Sequence, residues 1–138
     1  MAEKVEFELV SPERLLVSEP VEMVVVPGSE GDFGALPHHA PMLTSVRPGV
    51  IDVYENGKVK NRIFVAGGFA EVTEERVTVL AEEAIPVAEI EAEAVADRIR
   101  IAGEKVEEAD GDRARNEAQR LLRIAQALKA AYDERPVL

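Results

Sequence analysis

The sequence of 138 residues has no cysteine, no tryptophan, only two histidines and no long apolar run. Without cysteine there is no disulfide framework, no thiolate metal site and no cysteine nucleophile. The longest apolar runs, such as residues 24–26, are far too short to span a bilayer. Because the first residues also lack the basic and apolar regions of a signal peptide, we expect a soluble protein on the cytosolic side.

Positive charge is scarce as well, since 16 Lys and Arg accompany 27 Asp and Glu, for a net charge of −11. So acidic a chain repels phosphates, which argues against nucleic-acid binding and against a polybasic membrane anchor. Hydrophobic residues make up 46% of the chain, which is enough for a packed core. The composition therefore favours a globular protein with little catalytic equipment.

The chain changes character near Pro86, because Gly and Pro are frequent before this point and sparse after it. In the first half, short β-branched runs alternate with turn signals, and Asn56-Gly57 between two such runs is a strong hairpin signal. The predicted strands lie at residues 5–9, 15–18, 21–26, 50–54, 59–65, 69–72 and 77–81. Seven or eight short strands with regular turns predict a β-sandwich over residues 1–86.

Residues 87–138 have the periodicity of helices, with a turn at residues 110–112. Apolar residues recur at spacings of four and three. The first stripe is Val95, Ile99, Ala102, Val106 and Ala109, and the second is Ala114, Ala118, Leu121, Ala125, Leu128 and Tyr132. Because alanine burial stabilises little, we expect a helical hairpin that is marginal alone and that could detach from the β domain.

Two groups of side chains could carry chemistry. Asp32, His38 and His39 could hold a metal, but adjacent histidines diverge in an extended chain and no third histidine exists. A loop over residues 31–41 that contacts another protein is the favoured interpretation. A basic group on the second predicted helix could bind an acidic protein surface or a nucleotide phosphate, or be a solvated face. Its members are Arg113, Arg115, Arg120 and Arg123.

Several motifs then occur in a fixed order in the first half. They are Val10-Ser11-Pro12-Glu13, the run from Gly31 to Pro41, Arg47-Pro48-Gly49, Gly67-Gly68-Phe69-Ala70-Glu71-Val72 and Val77-Thr78-Val79-Leu80-Ala81. Together they closely resemble the epsilon subunit family of F-type ATP synthases, called delta in mitochondria. The resemblance implies an N-terminal antiparallel β-sandwich of about ten strands over residues 1–86, followed by a C-terminal α-helical hairpin over residues 87–138.

The resemblance also implies a function. It predicts a non-catalytic rotor subunit that links the gamma subunit to the c-ring and couples proton flow to ATP synthesis. Such a subunit is peripheral, on the cytoplasmic face of the bacterial inner membrane. The alternative is a free nucleotide-sensing β-sandwich protein that uses the basic group on the second helix.

Site residues follow from the same resemblance. The loop that faces the c-ring corresponds to Glu30, Gly31, Asp32 and Phe33. The positions that face gamma correspond to Ser11, His39 and Thr44. His38 stands where the family usually has glycine, whose backbone conformations a histidine disfavours. In the family the hairpin can restrain ATP hydrolysis, so Arg113, Arg115, Arg120 and Arg123 could meet the alpha and beta catalytic subunits.

Some family members bind ATP through a motif at the start of the first helix. Here Glu91 stands in place of its Asp and Ala94 in place of its Arg. The cation that would face the phosphates is missing, so we expect no tight ATP site. With the metal interpretation disfavoured above, we also expect no metal and no cofactor.

We predict that calorimetric titration of the full-length chain with millimolar ATP gives no binding heat, because Ala94 offers no charge to a phosphate. A saturable isotherm in that range would contradict the prediction and favour the nucleotide-sensing alternative.

Overall fold

Eight strands and then two α-helices follow one another in a computed structural model that describes residues 3–134. The strands are β1 (Val5–Val10), β2 (Leu15–Val21), β3 (Met23–Gly28), β4 (Gly31–Ala35), β5 (Met42–Ser45), β6 (Gly49–Glu55), β7 (Lys58–Val72) and β8 (Arg76–Pro86). A 3-10 turn at Val87–Glu89 leads into α1 (Ala92–Glu108) and α2 (Asp112–Asp133). The chain divides into two compact units between Pro86 and Val87.

The strands of the first unit form one continuous sheet that folds over a single core as a sandwich. Its order is β2-β1-β8-β7-β6-β3-β4, and β5 pairs with the second half of β7. Among these eight strands every pairing is antiparallel except that of β1 with β8. The predicted fold, a β-sandwich followed by a helical hairpin, is confirmed, with eight strands instead of about ten.

Alternation of side chains along the strands builds the core. In β1, Val5, Phe7 and Leu9 are fully buried, whereas Glu6 between them is exposed. The same alternation buries Val24 and Val26 in β3, Ile51 and Val53 in β6, and Val77 and Val79 in β8. Each buried side chain of this size contributes roughly 1.5–3 kcal/mol, so the sandwich has a core of its own.

Gly67 and Gly68 reverse the alternation of β7. Val65 is the last residue of the core before the pair and Ala70 is the first after it, so the inward positions change from odd to even numbers. Both glycines have positive φ, 72° and 108°. The sequence predicted two separate strands here, at residues 59–65 and 69–72, whereas the structure has one bent strand of 15 residues. As a result Phe69, an odd position, lies on the outer face.

The interpretation of residues 31–41 as one loop is wrong for its first half, because Gly31–Ala35 forms β4. This strand pairs antiparallel with β3, from Val24 opposite Ala35 to Gly28 opposite Gly31. Two glycines and an aspartate give the segment little intrinsic preference for a strand. Pairing with the β-branched residues of β3 overrides that preference.

In the second unit, α1 and α2 pack against each other as a hairpin. The predicted stripes are confirmed where they are buried, at Val95, Ala102, Ala118, Ala125 and Leu128. Ile124 and Ala131 are also buried, although they lie outside the predicted stripe, and Ala114 is exposed. Neither helix in the described part of the chain has the length and apolar character needed to cross a membrane.

We predict that Gly68→Ala lowers the free energy of unfolding by about 3 kcal/mol, through overpacking and backbone strain. A Cβ at this position would lie 1.9 Å from the carbonyl oxygen of Leu80, and φ is +108°. Urea unfolding followed by circular dichroism measures the change.

Gly103→Ala is the matched control, because a Cβ there meets nothing within 4 Å in α1. It should raise stability by about 1 kcal/mol. A Gly68→Ala chain as stable as the unsubstituted one would show that the bend in β7 does not need this close approach.

Candidate functional site

A row of apolar side chains crosses the outer face of the sheet. Leu15 of β2 lies opposite Val10 of β1, Val10 lies beside Leu80 of β8, and Leu80 lies opposite Phe69 of β7. Leu15 and Leu80 are both 56% exposed, and Phe69 is 58% exposed. The four residues are therefore neighbours across four adjacent strands.

Leu43 of β5 extends this row, and it is 70% exposed. It pairs with Glu71, two residues beyond Phe69 on the same face, so its side chain lies diagonal to that ring at about 7–8 Å. We call Leu15, Val10, Leu80, Phe69 and Leu43 the apolar row. Single exposed apolar residues are ordinary, but a contiguous set is typical of a protein interface.

The residues predicted to face gamma lie in two places. Ser11 directly follows Val10, and Thr44 directly follows Leu43, so both border the apolar row. Ser11 also makes the turn from β1, since its N–H donates to the Arg14 carbonyl at 3.0 Å. His39 lies after β4, where its ring centroid is 6.3 Å from that of Phe33. The structure thus gathers two of the three beside the apolar row.

The residues predicted to face the c-ring form the end of the β3–β4 hairpin. Gly28 pairs with Gly31 across a turn at residues 29–30, and Asp32 lies opposite Pro27. A Cβ on Gly28 would lie 2.8 Å from the Gly31 carbonyl oxygen, so only glycine closes the turn this tightly. We call residues 30–33 the hairpin tip.

Arg47 connects the hairpin tip to the segment between β5 and β6. Its Nη1 donates a hydrogen bond of 2.6 Å to the Gly28 carbonyl, and its Nη2 forms an ion pair with the Asp32 carboxylate. The Arg47 backbone N–H also donates to the Pro27 carbonyl at 2.9 Å. Sequence reasoning gave Arg47 no role at the site, because only the fold brings it to Asp32, 15 residues away.

His38 keeps a left-handed backbone, with φ of 69°. Its N–H donates to the Glu74 carbonyl at 2.7 Å, and its Nε2 lies 2.9 Å from Oε2 of Glu3. A glycine, which the family usually has at this position, adopts such a backbone conformation without strain, and His38 adopts it here as well. His39 instead places Nδ1 at 2.7 Å from the Ala40 carbonyl, and Asp32 is paired with Arg47. In residues 3–134 no group of three metal-ligating side chains comes together.

The basic group of α2 does not form one surface. Arg115 pairs with Asp112 at 3.1 Å. Arg113 and Arg123 are exposed, and neither has a hydrogen bond or ion pair within residues 3–134. At about 100° per residue, Arg115 lies roughly 160° around the helix from Arg113. Only part of the group can therefore meet one partner.

Arg120 is the fourth member of this group, and it holds Glu117 on the same helix. Its Nε and Nη2 donate to the two carboxylate oxygens at 3.0 and 2.8 Å. These hydrogen bonds from Arg120 lower the pKa of Glu117 below its ordinary value. The pair is internal to α2, at the surface of the helix.

The start of α1 is negatively charged. Glu91 occupies the N-cap position, where it makes no side-chain hydrogen bond to the helix, and Glu93 lies in the first turn. Ala94 is exposed beside them. Where the family's ATP motif has a guanidinium, this chain has the methyl group of Ala94, and the nearby carboxylates of Glu91 and Glu93 would repel a phosphate.

Comparison with known proteins identifies relatives over nearly the whole chain. A family model described as ATP synthase, Delta/Epsilon chain, beta-sandwich domain matches residues 4–87. The ATP synthase epsilon chain of Paramagnetospirillum magneticum is 62% identical over 131 residues, covering 95% of this chain and 98% of the relative. The epsilon chain of Rhodospirillum rubrum has the same identity and coverage.

Two solved structures of ATP synthases contain a chain with a similar fold. A chain in the Euglena gracilis mitochondrial ATP synthase, OSCP/F1/c-ring in rotational state 1, superimposes with a TM-score of 0.79 at 29% identity. The match covers 95% of this chain and 82% of that one. A chain from the central stalk/c-ring of the Tetrahymena thermophila mitochondrial ATP synthase has a TM-score of 0.72 at 14% identity, which shows a shared fold.

Proposed function

Because the chain belongs to the delta/epsilon chain family of ATP synthases, we propose that it is a central-stalk subunit of this complex. It links gamma to the c-ring and couples proton flow to ATP synthesis, and it is not the catalytic subunit. The family relationship favours this function over that of a free nucleotide sensor. The subunit is part of a membrane-associated complex, and we place it peripherally, on the cytoplasmic face of the bacterial inner membrane.

The apolar row is the observation that carries the proposal. Three of its members, Leu15, Leu80 and Phe69, each expose more than half of their surface, and Leu43 exposes more still. Burying a fully exposed side chain of this size is worth roughly 1.5–3 kcal/mol, so covering the exposed half of each contributes about half of that before the costs of association are subtracted. We assign the row to gamma, with Ser11 and Thr44 at its border.

The hairpin tip is assigned to the c-ring. In contrast to the apolar row it is polar, and its charges are Glu30 in the turn and Asp32 at the start of β4. A polar tip of this kind suits contact with polar loops of the c-ring. The two surfaces of the sandwich thus differ in chemistry, as a link between two different partners requires.

The helical hairpin is assigned to the catalytic subunits. The exposed guanidinium groups of Arg113 and Arg123 have no ion-pair partner among residues 3–134, so an acidic surface of alpha or beta can pair with them. In this proposal the contact restrains ATP hydrolysis. The Ala-rich seam between α1 and α2 suits an arm that changes position.

We predict that Phe69→Glu weakens binding to gamma by about 2 kcal/mol, or roughly thirtyfold in Kd, because it removes a central aromatic anchor. Binding is measured with tagged gamma and the full-length chain.

Val59→Glu is the matched control, because Val59 is also an exposed apolar residue of β7, at 41%, but lies outside the apolar row. It should leave binding unchanged, and thermal unfolding checks that both variants fold. If both variants bound gamma like the unsubstituted chain, the apolar row would not be the gamma-binding surface.

We predict that the double substitution Arg113→Ala and Arg123→Ala raises ATP hydrolysis by the assembled catalytic complex by about fivefold. Each lost exposed ion pair is taken as about 0.5 kcal/mol of restraint. Arg115→Ala is the control, since Arg115 is already paired with Asp112. Equal hydrolysis rates for all three chains at full occupancy would remove the arginines from the proposed restraint.

A further inference from the structure

Residues 45–47 contact both proposed docking surfaces of the sandwich. On one side, Ser45 pairs with Phe69 of the apolar row, and the Val46 N–H donates to the Gly68 carbonyl at 3.0 Å. On the other side, the Ser45 carbonyl accepts the N–H of Ser29 at 2.9 Å, next to the hairpin tip. We call residues 45–47 the connecting segment.

The hairpin tip has little support from the sheet itself. It belongs to β4, which is the last strand in the sheet order and pairs with β3 alone. Such an edge strand has one side without a strand neighbour, and a hairpin of two strands is weak by itself. Backbone hydrogen bonds to residues 45–47 hold the β3 side of the hairpin, at Pro27 and Ser29, but among residues 3–134 none of these bonds reaches β4.

The Arg47 side chain extends this support from the connecting segment to β4. Its guanidinium reaches both strands of the hairpin at once, since Gly28 belongs to β3 and Asp32 to β4. Arginine suits this task because its nitrogen atoms form a rigid fork that can serve two acceptors, whereas lysine presents a single point charge.

We propose that Arg47 is a positioning residue that fixes the orientation of the hairpin tip relative to the apolar row. This inference rests on the proposed function, in which the row binds gamma and the tip meets the c-ring. In this proposal, force applied to the tip passes through the guanidinium to residues 45–47, and then through Ser45 and Val46 to β7.

The contact is suited to orientation more than to stability. The Arg47 side chain is 43% exposed and that of Asp32 is 60% exposed, and ion pairs in such positions contribute little to the free energy of folding. Replacing Arg47 should therefore loosen the tip while the core of the sandwich stays folded. A loosened tip in a sandwich that stays folded would distinguish a positioning role of Arg47 from a merely structural one.

The first test is amide hydrogen exchange in the isolated full-length chain. Arg47→Ala should speed exchange in peptides covering residues 28–34 by about threefold to fivefold, and the free energy of unfolding should fall by no more than the equivalent of that change. Arg47→Lys should restore only part of the protection, because lysine cannot serve both acceptors. Lys60→Ala is the matched control, since Lys60 is also 43% exposed and bridges strands to Glu19 at 3.1 Å, away from the tip. Unchanged exchange at residues 28–34 in Arg47→Ala would overturn the proposal.

The second test uses the assembled enzyme in membrane vesicles. With Arg47→Ala the complex should still contain gamma and this chain, but proton pumping per ATP hydrolysed should be partly lost, while Lys60→Ala pumps normally. A loosened tip with fully coupled pumping would overturn the positioning role. If the unsubstituted chain itself failed to bind gamma, the proposed function would fail instead, so the two failures are distinguishable.

Discussion

The close approach of Gly68 to the Leu80 carbonyl is the contact on which the rest of the sandwich depends. It lets β7 bend between its pairing with β6 and its pairing with β5, so that one strand serves both halves of the sheet. Any side chain at this position would collide with the backbone of β8. The bend also reverses which residues face the core, and this places Phe69 on the outer face.

The residues that fill the core of the sandwich also determine which side chains lie on its outer face. Val79 and Ala81 of β8 must point inward to fill the core, so Leu80 between them points outward, opposite Phe69. Leu80 and Phe69 are thus exposed by the same alternation that buries their neighbours. In the proposed function gamma covers both side chains, which would account for their exposure in the isolated chain.

The two units differ in how their interiors are packed. The sandwich is built from branched side chains in a close-packed core, which resists deformation and suits a part that transmits torque. The hairpin is built around alanines, which bury little apolar area per residue. Each unit thus has the packing that its proposed task requires.

Local patterns in the sequence were sufficient for most of the elements, though not for β4 and β5, and for the change from strands to helices near Pro86. Alternation at residues 5–9, the Asn56-Gly57 turn and the spacing of Val95 and Ala102 are all local, and each predicts its element correctly. The resemblance to a known family added the function, because several motifs in a fixed order are far more specific than any one of them.

The sequence by itself determined most of the strands and both helices, because those choices depend on residues close together in the chain. Tertiary structure alone decided that Gly31–Ala35 is a strand, because its pairing partner supplies what its own residues lack. It also decided that Leu15, Leu80 and Phe69 form one row, and that Arg47 reaches Asp32. The physical reason is that such contacts join residues far apart in the chain, and the register of the strands brings them together.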